Sequence, residues 1–212
     1  MKHEVFWKNP GYKVRPELKE DISCEYLIVG RGVLGVSLAY FLLKNGASNI
    51  VLIEKNTIAS GATGKSAGMI TLRGELDLMQ IVEHHGKTRG LIFWKSSQEG
   101  LRLTKEIIEK EKIKCDFEPQ DTLYGGLRGE NHKFILEEFA LEDEIERDTK
   151  LLSELISNKE MHEYIKTDLF LYAIYSRGHG ISVNPLQYTQ NLSEAVQKKG
   201  VKVFENTPLL KI

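Results

Sequence analysis

The first sustained hydrophobic run of the chain covers residues 26–29, with the sequence Y-L-I-V, and has the length of a buried strand. The sequence G-R-G-V-L-G follows at residues 30–35 and leads into a helical pattern that ends near Gly46. A second hydrophobic run over residues 49–53 ends at Glu54. Strand, glycine-rich turn, helix and strand in this order predict a βαβ unit.

The glycine-rich turn has the G-x-G-x-x-G spacing that holds a dinucleotide. Gly30 permits a sharp turn, Gly32 leaves room for phosphates, and Gly35 lets helix and strand pack closely. The helix start offers free N–H groups and a favourable dipole to a pyrophosphate. Glu54 is placed to accept hydrogen bonds from both hydroxyls of an unphosphorylated ribose. The alternative is an ordinary βαβ turn without phosphate. The predicted contacts are Gly30, Gly32, Val33, Leu34, Gly35, Glu54 and Lys55.

A second glycine-rich turn, residues 60–68, distinguishes FAD from NAD. Thr63 and Ser66 carry hydroxyl groups, and the glycines allow the backbone to curl around an anion. An NAD domain does not need this second turn, so the pattern favours FAD. The predicted cofactor contacts in this turn are Gly61, Thr63, Lys65, Ser66, Ala67 and Gly68.

The sequence G-A-T-G-K-S-A-G of residues 61–68 resembles the G-A-S-G-R-N-G-G signature of the D-amino-acid-oxidase-type FAD-dependent oxidoreductases. This superfamily includes glycine, sarcosine and gamma-glutamylputrescine oxidases. Residues 184–209, from N-P to T-P-L, resemble the segment that returns from the substrate domain to the flavin domain, and the W-x-x-P-x-Y sequence of residues 7–12 resembles the arm of gamma-glutamylputrescine-oxidase-like members. The resemblance implies that Leu209 meets the adenine through its backbone.

The resemblance also implies an α/β fold, with a Rossmann-like, glutathione-reductase-like FAD-binding domain and an inserted α+β portion of a substrate domain. We expect an N-terminal arm at residues 1–24, the first part of the FAD-binding domain at 25–75, a helical segment and partial substrate domain at 76–180, and a return helix and strand at 181–212. Members of the family continue further, so we expect a shortened chain: a truncated form, a half that needs a second chain, or a gene remnant.

Between these segments the pattern predicts further elements. Two helices are predicted in residues 77–114, and a strand, turn and strand in 117–127. An acidic amphipathic helix is predicted in 132–152, with the acid run 137–146 as its solvated face, and a further helix from Ser153 through Ile165. Strands around a turn at 177–180, a helix over 186–199 and a strand over 201–205 follow.

Composition narrows the function classes. The 212 residues carry a net charge of −1, which does not favour nucleic acid or an anionic membrane surface. Cys24 and Cys115 are too few and too isolated for a disulfide framework, and the pair His84-His85 lacks a third metal ligand. We therefore expect structural thiols, no metal, no transmembrane segment and a cytoplasmic protein.

The chemistry implied by the resemblance is oxidation of a small-molecule amine or amino acid by hydride transfer to flavin. Arg73 is a candidate active-site residue, with a surface ion pair as the alternative. Arg177 and His179 are interpreted as solvated turn residues, and Tyr124 as a core aromatic residue. Two other classes stay open: a non-catalytic nucleotide-binding subunit, and an NAD-dependent enzyme, which the second glycine turn and the return segment argue against.

Overall fold

A computed structural model describes residues 5–129, 131–146 and 153–211. The strands are β1 (Tyr26–Val29), β2 (Ile50–Ile53), β3 (Met69–Thr71), β4 (Glu118–Leu127), β5 (Ser153–Ser157), β6 (Phe170–Ser182) and β7 (Lys202–Phe204). The helices are α1 (Val33–Lys44), α2 (Leu78–His85), α3 (Lys87–Lys110), α4 (Asn131–Glu146), α5 (Asn158–Met161) and α6 (Pro185–Lys198), with a short 3₁₀ helix at Thr63–Lys65. The expected mixed α/β fold is confirmed.

The chain divides into two compact units. The first comprises Met1–Gly68, Glu106–Phe117 and Val183–Ile212, and the second comprises Met69–Lys105 and Glu118–Ser182. This division differs from the expected boundaries in three places. The opening segment of the first unit ends at Gly68 rather than residue 75, residues 106–117 belong to this unit, and its last segment begins at Val183 rather than residue 181.

The first unit contains a parallel sheet in the order β1-β2-β7. Register runs from Tyr26 opposite Ile50 to Val29 opposite Ile53. All four residues of the central strand β2 are buried, as in a parallel sheet covered on both faces. Helices α1 and α6 pack against each other, and residues 5–24 form no helix or strand, in agreement with an extended arm.

Helix ends in this unit follow local sequence. Gly46, at φ +85°, terminates α1, and the N–H of Ala47 donates to Leu42 O. Asn184 caps α6 by accepting from the N–H of Gln187, with Pro185 in the first turn. Both helices were expected at these positions, because a residue that ends or begins a helix lies where the hydrophobic periodicity ends or begins.

The second unit contains an antiparallel sheet. Strand β6 pairs with β4 along one edge, and with β3 and then β5 along the other. Helix α4 packs against β4, β5, β6 and α2. The expected pair of helices is present as α2 and α3. The predicted acidic helix is present as α4, and the rest of its predicted range, residues 147–152, lies outside the described residues.

Two predicted turns in this unit are wrong, because each glycine lies within a strand. Residues 118–127 form the single strand β4, and Gly125 leaves space for Phe170, whose Cδ1 would be 2.8 Å from an added Cβ. Residues 170–182 form the single strand β6. Gly178, at φ +68°, donates its N–H to Asp121 Oδ1 at 2.7 Å beside an irregularity in β4, so it marks a bulge.

The helix predicted from Ser153 is also wrong. Residues 153–157 form strand β5, and only the single helical turn α5 follows. Ser157 is the true N-cap: its hydroxyl oxygen accepts from the N–H of Glu160, and the Glu160 carboxylate accepts from the N–H of Ser157. The cap lies four residues later than expected because pairing with β6 takes residues 153–157 into the sheet.

Candidate functional site

The first glycine-rich turn leaves β1 through a backbone conformation that suits glycine. Gly30 has φ +97°, and its N–H donates to Ile53 O at 2.9 Å. A Cβ at Gly35 would lie 2.0 Å from Gly30 O, so α1 could not approach the turn with a side chain there. Helix α1 therefore begins directly against the end of the strand.

The first turn of α1 receives the second glycine-rich turn. The N–H of Val36 donates to Gly32 O, so the N–H groups of residues 33–35 lie ahead of the helical hydrogen bonds. The N–H of Val33 donates to Thr63 Oγ1 at 3.1 Å. A Cβ at Gly32 would lie 3.0 Å from the same oxygen. The structure thus brings the two glycine-rich turns together at the positive end of α1.

Two glycines of the second turn serve contacts within the protein. The N–H of Gly64 donates to Ala59 O, and an added Cβ would lie 2.2 Å from that oxygen. Gly68 has φ +78°, and its Cβ would lie 2.2 Å from Val183 O. These contacts, rather than an anion, explain why glycine is required at both positions. Gly61, Lys65, Ser66 and Ala67 are exposed.

Glu54 lies at the end of β2 beside the first turn. Its Oε2 accepts from the N–H of Arg31 at 3.0 Å, and its Oε1 accepts from the N–H of Asn56 at 2.9 Å. Each oxygen retains capacity for a further donor. Glu54 O accepts from the N–H of Thr207 at 2.8 Å, which fixes the return segment near this carboxylate. Leu209 and Lys55 are both exposed.

Sequence reasoning missed a buried polar cluster beneath this site. The Arg31 side chain is fully buried, and it donates to Phe204 O at 3.0 Å and to Ser193 Oγ at 3.1 Å. Burial lowers the pKa of Arg31 to about 10, against the opposing charge of the buried Glu205. The G-x-G-x-x-G pattern leaves this position unrestricted. A charged residue between the two glycines was the available signal.

Arg73 lies in the second unit and pairs with the buried Glu142. Its side chain is 13% exposed, and its Cζ lies 4.5 Å from the ring centroid of Tyr124. The hydroxyl of Tyr124 donates to Asp77 Oδ1 at 2.7 Å. The alternative to an active-site role is therefore a buried hydrogen-bonded contact with Glu142, not the surface ion pair that the sequence suggested.

The interpretation of the acid run as a solvated helix face is wrong for three glutamates at four-residue spacing. Glu138, Glu142 and Glu146 are buried. Glu138 accepts from the N–H groups of residues 78 and 79 at the start of α2, and Glu146 accepts from Trp94 Nε1 at 3.1 Å. These donors come from segments distant in sequence, so periodicity alone cannot identify the buried face.

His179 is also buried, although it was interpreted as solvated. Burial, together with the charges of Arg73 and Lys105, lowers its pKa to about 4. Lys105 Nζ donates to Gly178 O at 3.0 Å beside it. The imidazole is therefore neutral near neutral pH.

Within residues 5–129, 131–146 and 153–211, no group of three His, Cys, Asp or Glu side chains could hold a metal ion. Cys24 and Cys115 are both free thiols. No helix in those ranges is long and apolar enough to span a bilayer.

Comparison with known proteins identifies the family. Residues 25–212 match the family described as FAD dependent oxidoreductase. FAD, the cofactor predicted from the second glycine turn, is thus the cofactor of the family.

Two curated relatives match almost all of the chain. A protein of Bacillus subtilis (strain 168), YhfW, which carries the name of a Rieske 2Fe-2S iron-sulfur protein, is 28% identical over 99% of this chain and 39% of its own length. Gamma-glutamylputrescine oxidoreductase of Escherichia coli (strain K12) is 26% identical over 92% of this chain and 44% of its own length. The chain thus spans less than half the length of these relatives.

The fold also resembles solved structures over most of this chain and less than half of the other protein. L-amino acid deaminase from Proteus vulgaris aligns with a TM-score of 0.69 and 18% identity, over 92% of this chain and 43% of that protein. At this identity the likeness shows the fold alone.

Proposed function

Because the chain belongs to the family of FAD-dependent oxidoreductases, we propose that its first unit binds the ADP portion of FAD at the start of α1. The observation that supports this is the meeting of the two glycine-rich turns there, where Val33 donates to Thr63 Oγ1. The N–H groups of Leu34 and Gly35 hold the pyrophosphate, since they lie at the positive helix end, and Val33, whose N–H donates to Thr63 Oγ1, contacts it from the same turn. Gly32 leaves the approach open, and Thr63 contacts the phosphates from the second turn.

The remaining predicted contacts surround this position. The Glu54 carboxylate accepts the ribose hydroxyls with the capacity left by its two backbone donors. The backbone of Leu209 contacts the adenine. Thr207, two residues before Leu209, donates its N–H to Glu54 O and so holds this segment near the ribose site. The other contacts that we propose are Gly30, Leu34, Gly35, Lys55, Gly61, Lys65, Ser66, Ala67 and Gly68.

The reaction that we propose for the whole protein is oxidation of the C–N bond of an amine or amino acid. When bound, FAD supplies the hydride acceptor for this reaction. The name of one relative points to this class, because gamma-glutamylputrescine oxidoreductase of Escherichia coli (strain K12) acts on gamma-glutamylputrescine. Arg73 remains a candidate for substrate contact, with its guanidinium held by Glu142 and Tyr124.

A second polypeptide segment completes the first unit in this proposal. Strand β1 lies at the edge of the parallel sheet, and Leu27 and Val29 on one of its faces are each 51% exposed. Strands of parallel sheets are normally covered on both faces. A further segment, from the same or another chain, covers this surface.

The free cysteines suit a reducing compartment, and we propose that the protein is cytoplasmic.

A non-catalytic FAD-binding subunit is the second candidate, because the active-site candidate Arg73 is already paired with the buried Glu142. Anaerobic mixing of the FAD-loaded protein with a panel of amines and amino acids distinguishes the two. Bleaching of the visible flavin band by one substrate class supports the oxidoreductase. Bound flavin that no amine reduces supports the subunit, and protein that takes up no FAD overturns both.

A further inference from the structure

The N-terminal arm makes specific contacts with the loop that carries the second glycine turn. Trp7 Nε1 donates to Ser66 O at 2.7 Å. A Cβ at Gly68 would lie 3.1 Å from Cζ2 of the Trp7 ring. The indole therefore lies directly on the last residues of the loop, residues 56–68, which runs from the end of β2 to the end of the second turn.

The same arm also reaches the beginning of this loop. Asn9 Nδ2 donates to Gln190 Oε1 at 2.9 Å, and Gln190 Nε2 donates to Ile58 O at 3.3 Å. Gln190 is buried in α6, so its amide connects arm and loop across the helix surface. The loop is therefore held from the arm near residue 58 as well as near residue 66.

A buried carboxylate also joins the arm to the start of the loop. Glu205 Oε1 accepts from the hydroxyl of Tyr12 at 2.6 Å and from the N–H of Ile58 at 2.5 Å. The N–H of Arg15 donates to its other oxygen. Glu205 is fully buried, so loss of these donors would leave its carboxylate oxygens short of hydrogen-bond partners. The arm and the start of the loop thus depend on the same side chain.

Thr63, the residue that meets the start of α1, lies between these two attachment points. We propose that the N-terminal arm is a strap that fixes the second glycine turn against α1, and that Trp7 is a positioning residue for FAD binding. This inference rests on the proposed function. With the strap in place the loop is ordered before FAD binds. Without it, the conformational entropy lost when the loop becomes ordered reduces the free energy of FAD binding.

A positioning role of Trp7 affects the second glycine turn, whereas a general stabilising role would affect the stability of the whole unit. Trp7 is only half-buried, and its indole N–H bonds to a loop carbonyl rather than within the core. Its replacement by phenylalanine retains most of the ring contact and removes the hydrogen bond. We therefore expect the variant Trp7→Phe to fold with nearly unchanged stability and to bind FAD less well.

The test compares Trp7→Phe with wild type and with Val14→Ala, a control in the same arm at a residue that is 56% exposed. Flavin fluorescence titration gives the dissociation constant for FAD, and urea unfolding gives the stability of the FAD-free protein. We expect affinity to fall about tenfold in Trp7→Phe, the scale of one hydrogen bond, with an unchanged unfolding midpoint. Val14→Ala should match wild type.

Limited trypsin digestion of the FAD-free protein gives a readout that does not require the cofactor. Lys65 lies in the second turn, and we expect cleavage after it to become several-fold faster in Trp7→Phe. Unchanged FAD affinity, unchanged cleavage, or a parallel fall of affinity and unfolding midpoint would each overturn the strap. If wild type binds no FAD, the proposed function fails, and the cleavage rates still decide whether the arm holds the turn.

Discussion

Glu142→Gln tests the buried glutamates of α4 through the pH dependence of stability. Burial raises the pKa of Glu142 from 4.5 to about 8; the charge of Arg73 opposes the shift, and Glu138 and Glu146 add to it. The folded protein therefore keeps a proton that the unfolded chain releases above its ordinary pKa. Since the folded state binds more protons, the free energy of unfolding falls as pH rises through this window, and the loss is complete above the folded pKa.

The size of the effect follows from the two pKa values. Between about pH 6 and about pH 9, this one group should reduce the free energy of unfolding by about 2–3 kcal/mol. The glutamine variant cannot titrate at this position and should lose that part of the pH dependence. The effect needs no ligand, so it tests the second unit independently of FAD.

Urea unfolding followed by the fluorescence of Trp94 measures this change, because Trp94 Nε1 donates to Glu146 in the same cluster. A Trp7→Phe background leaves Trp94 as the sole tryptophan of the chain. Glu144→Gln is the matched control, since Glu144 is on the same helix with its side chain 52% exposed. Parallel pH profiles for wild type and Glu142→Gln, or a wild-type stability that rises over this range, would refute the reasoning.

Two further predictions concern the first unit. Gly64→Ala places a Cβ 2.2 Å from Ala59 O and should lower the free energy of unfolding by about 1–3 kcal/mol in a urea titration, whereas Gly100→Ala, with open space around it, should not. A thiol reagent should label Cys24 in the folded protein and spare Cys115, because burial raises the pKa of the Cys115 thiol to about 11; equal labelling rates would contradict this.

Sequence patterns predicted the βαβ unit because its signals are local. The turn at Gly30, the end of α1 at Gly46 and the cap of α6 at Asn184 each depend on residues within a few positions of one another. Hydrophobic periodicity and glycine placement agree there, so element type and position follow from the sequence. The meeting of Thr63 with Val33 depends on the folded loop, although the presence of both turns was predicted.

The second unit was harder to predict because distant residues decide its structure. Gly125 is required by Phe170, and Gly178 by Asp121, so neither glycine marks a turn. The spacing of Glu138, Glu142 and Glu146 places them on one helix face, but their burial depends on donors from other segments. A charged residue is solvated unless such a partner is present, and the partner cannot be identified from the local pattern.

Titration of FAD into wild type, Gly32→Val and Gly100→Val measures whether the two glycine-rich turns hold FAD at the start of α1. Valine at Gly32 should occupy the space that we propose for the phosphates and weaken FAD binding by about 100-fold or more. Its Cβ would lie 3.0 Å from Thr63 Oγ1, so the hydroxyl must shift slightly, and unfolding of the FAD-free protein should stay nearly unchanged. Gly100→Val should bind FAD as wild type does. Equal FAD affinity in all three proteins, with acid-releasable flavin in each, would contradict the claim.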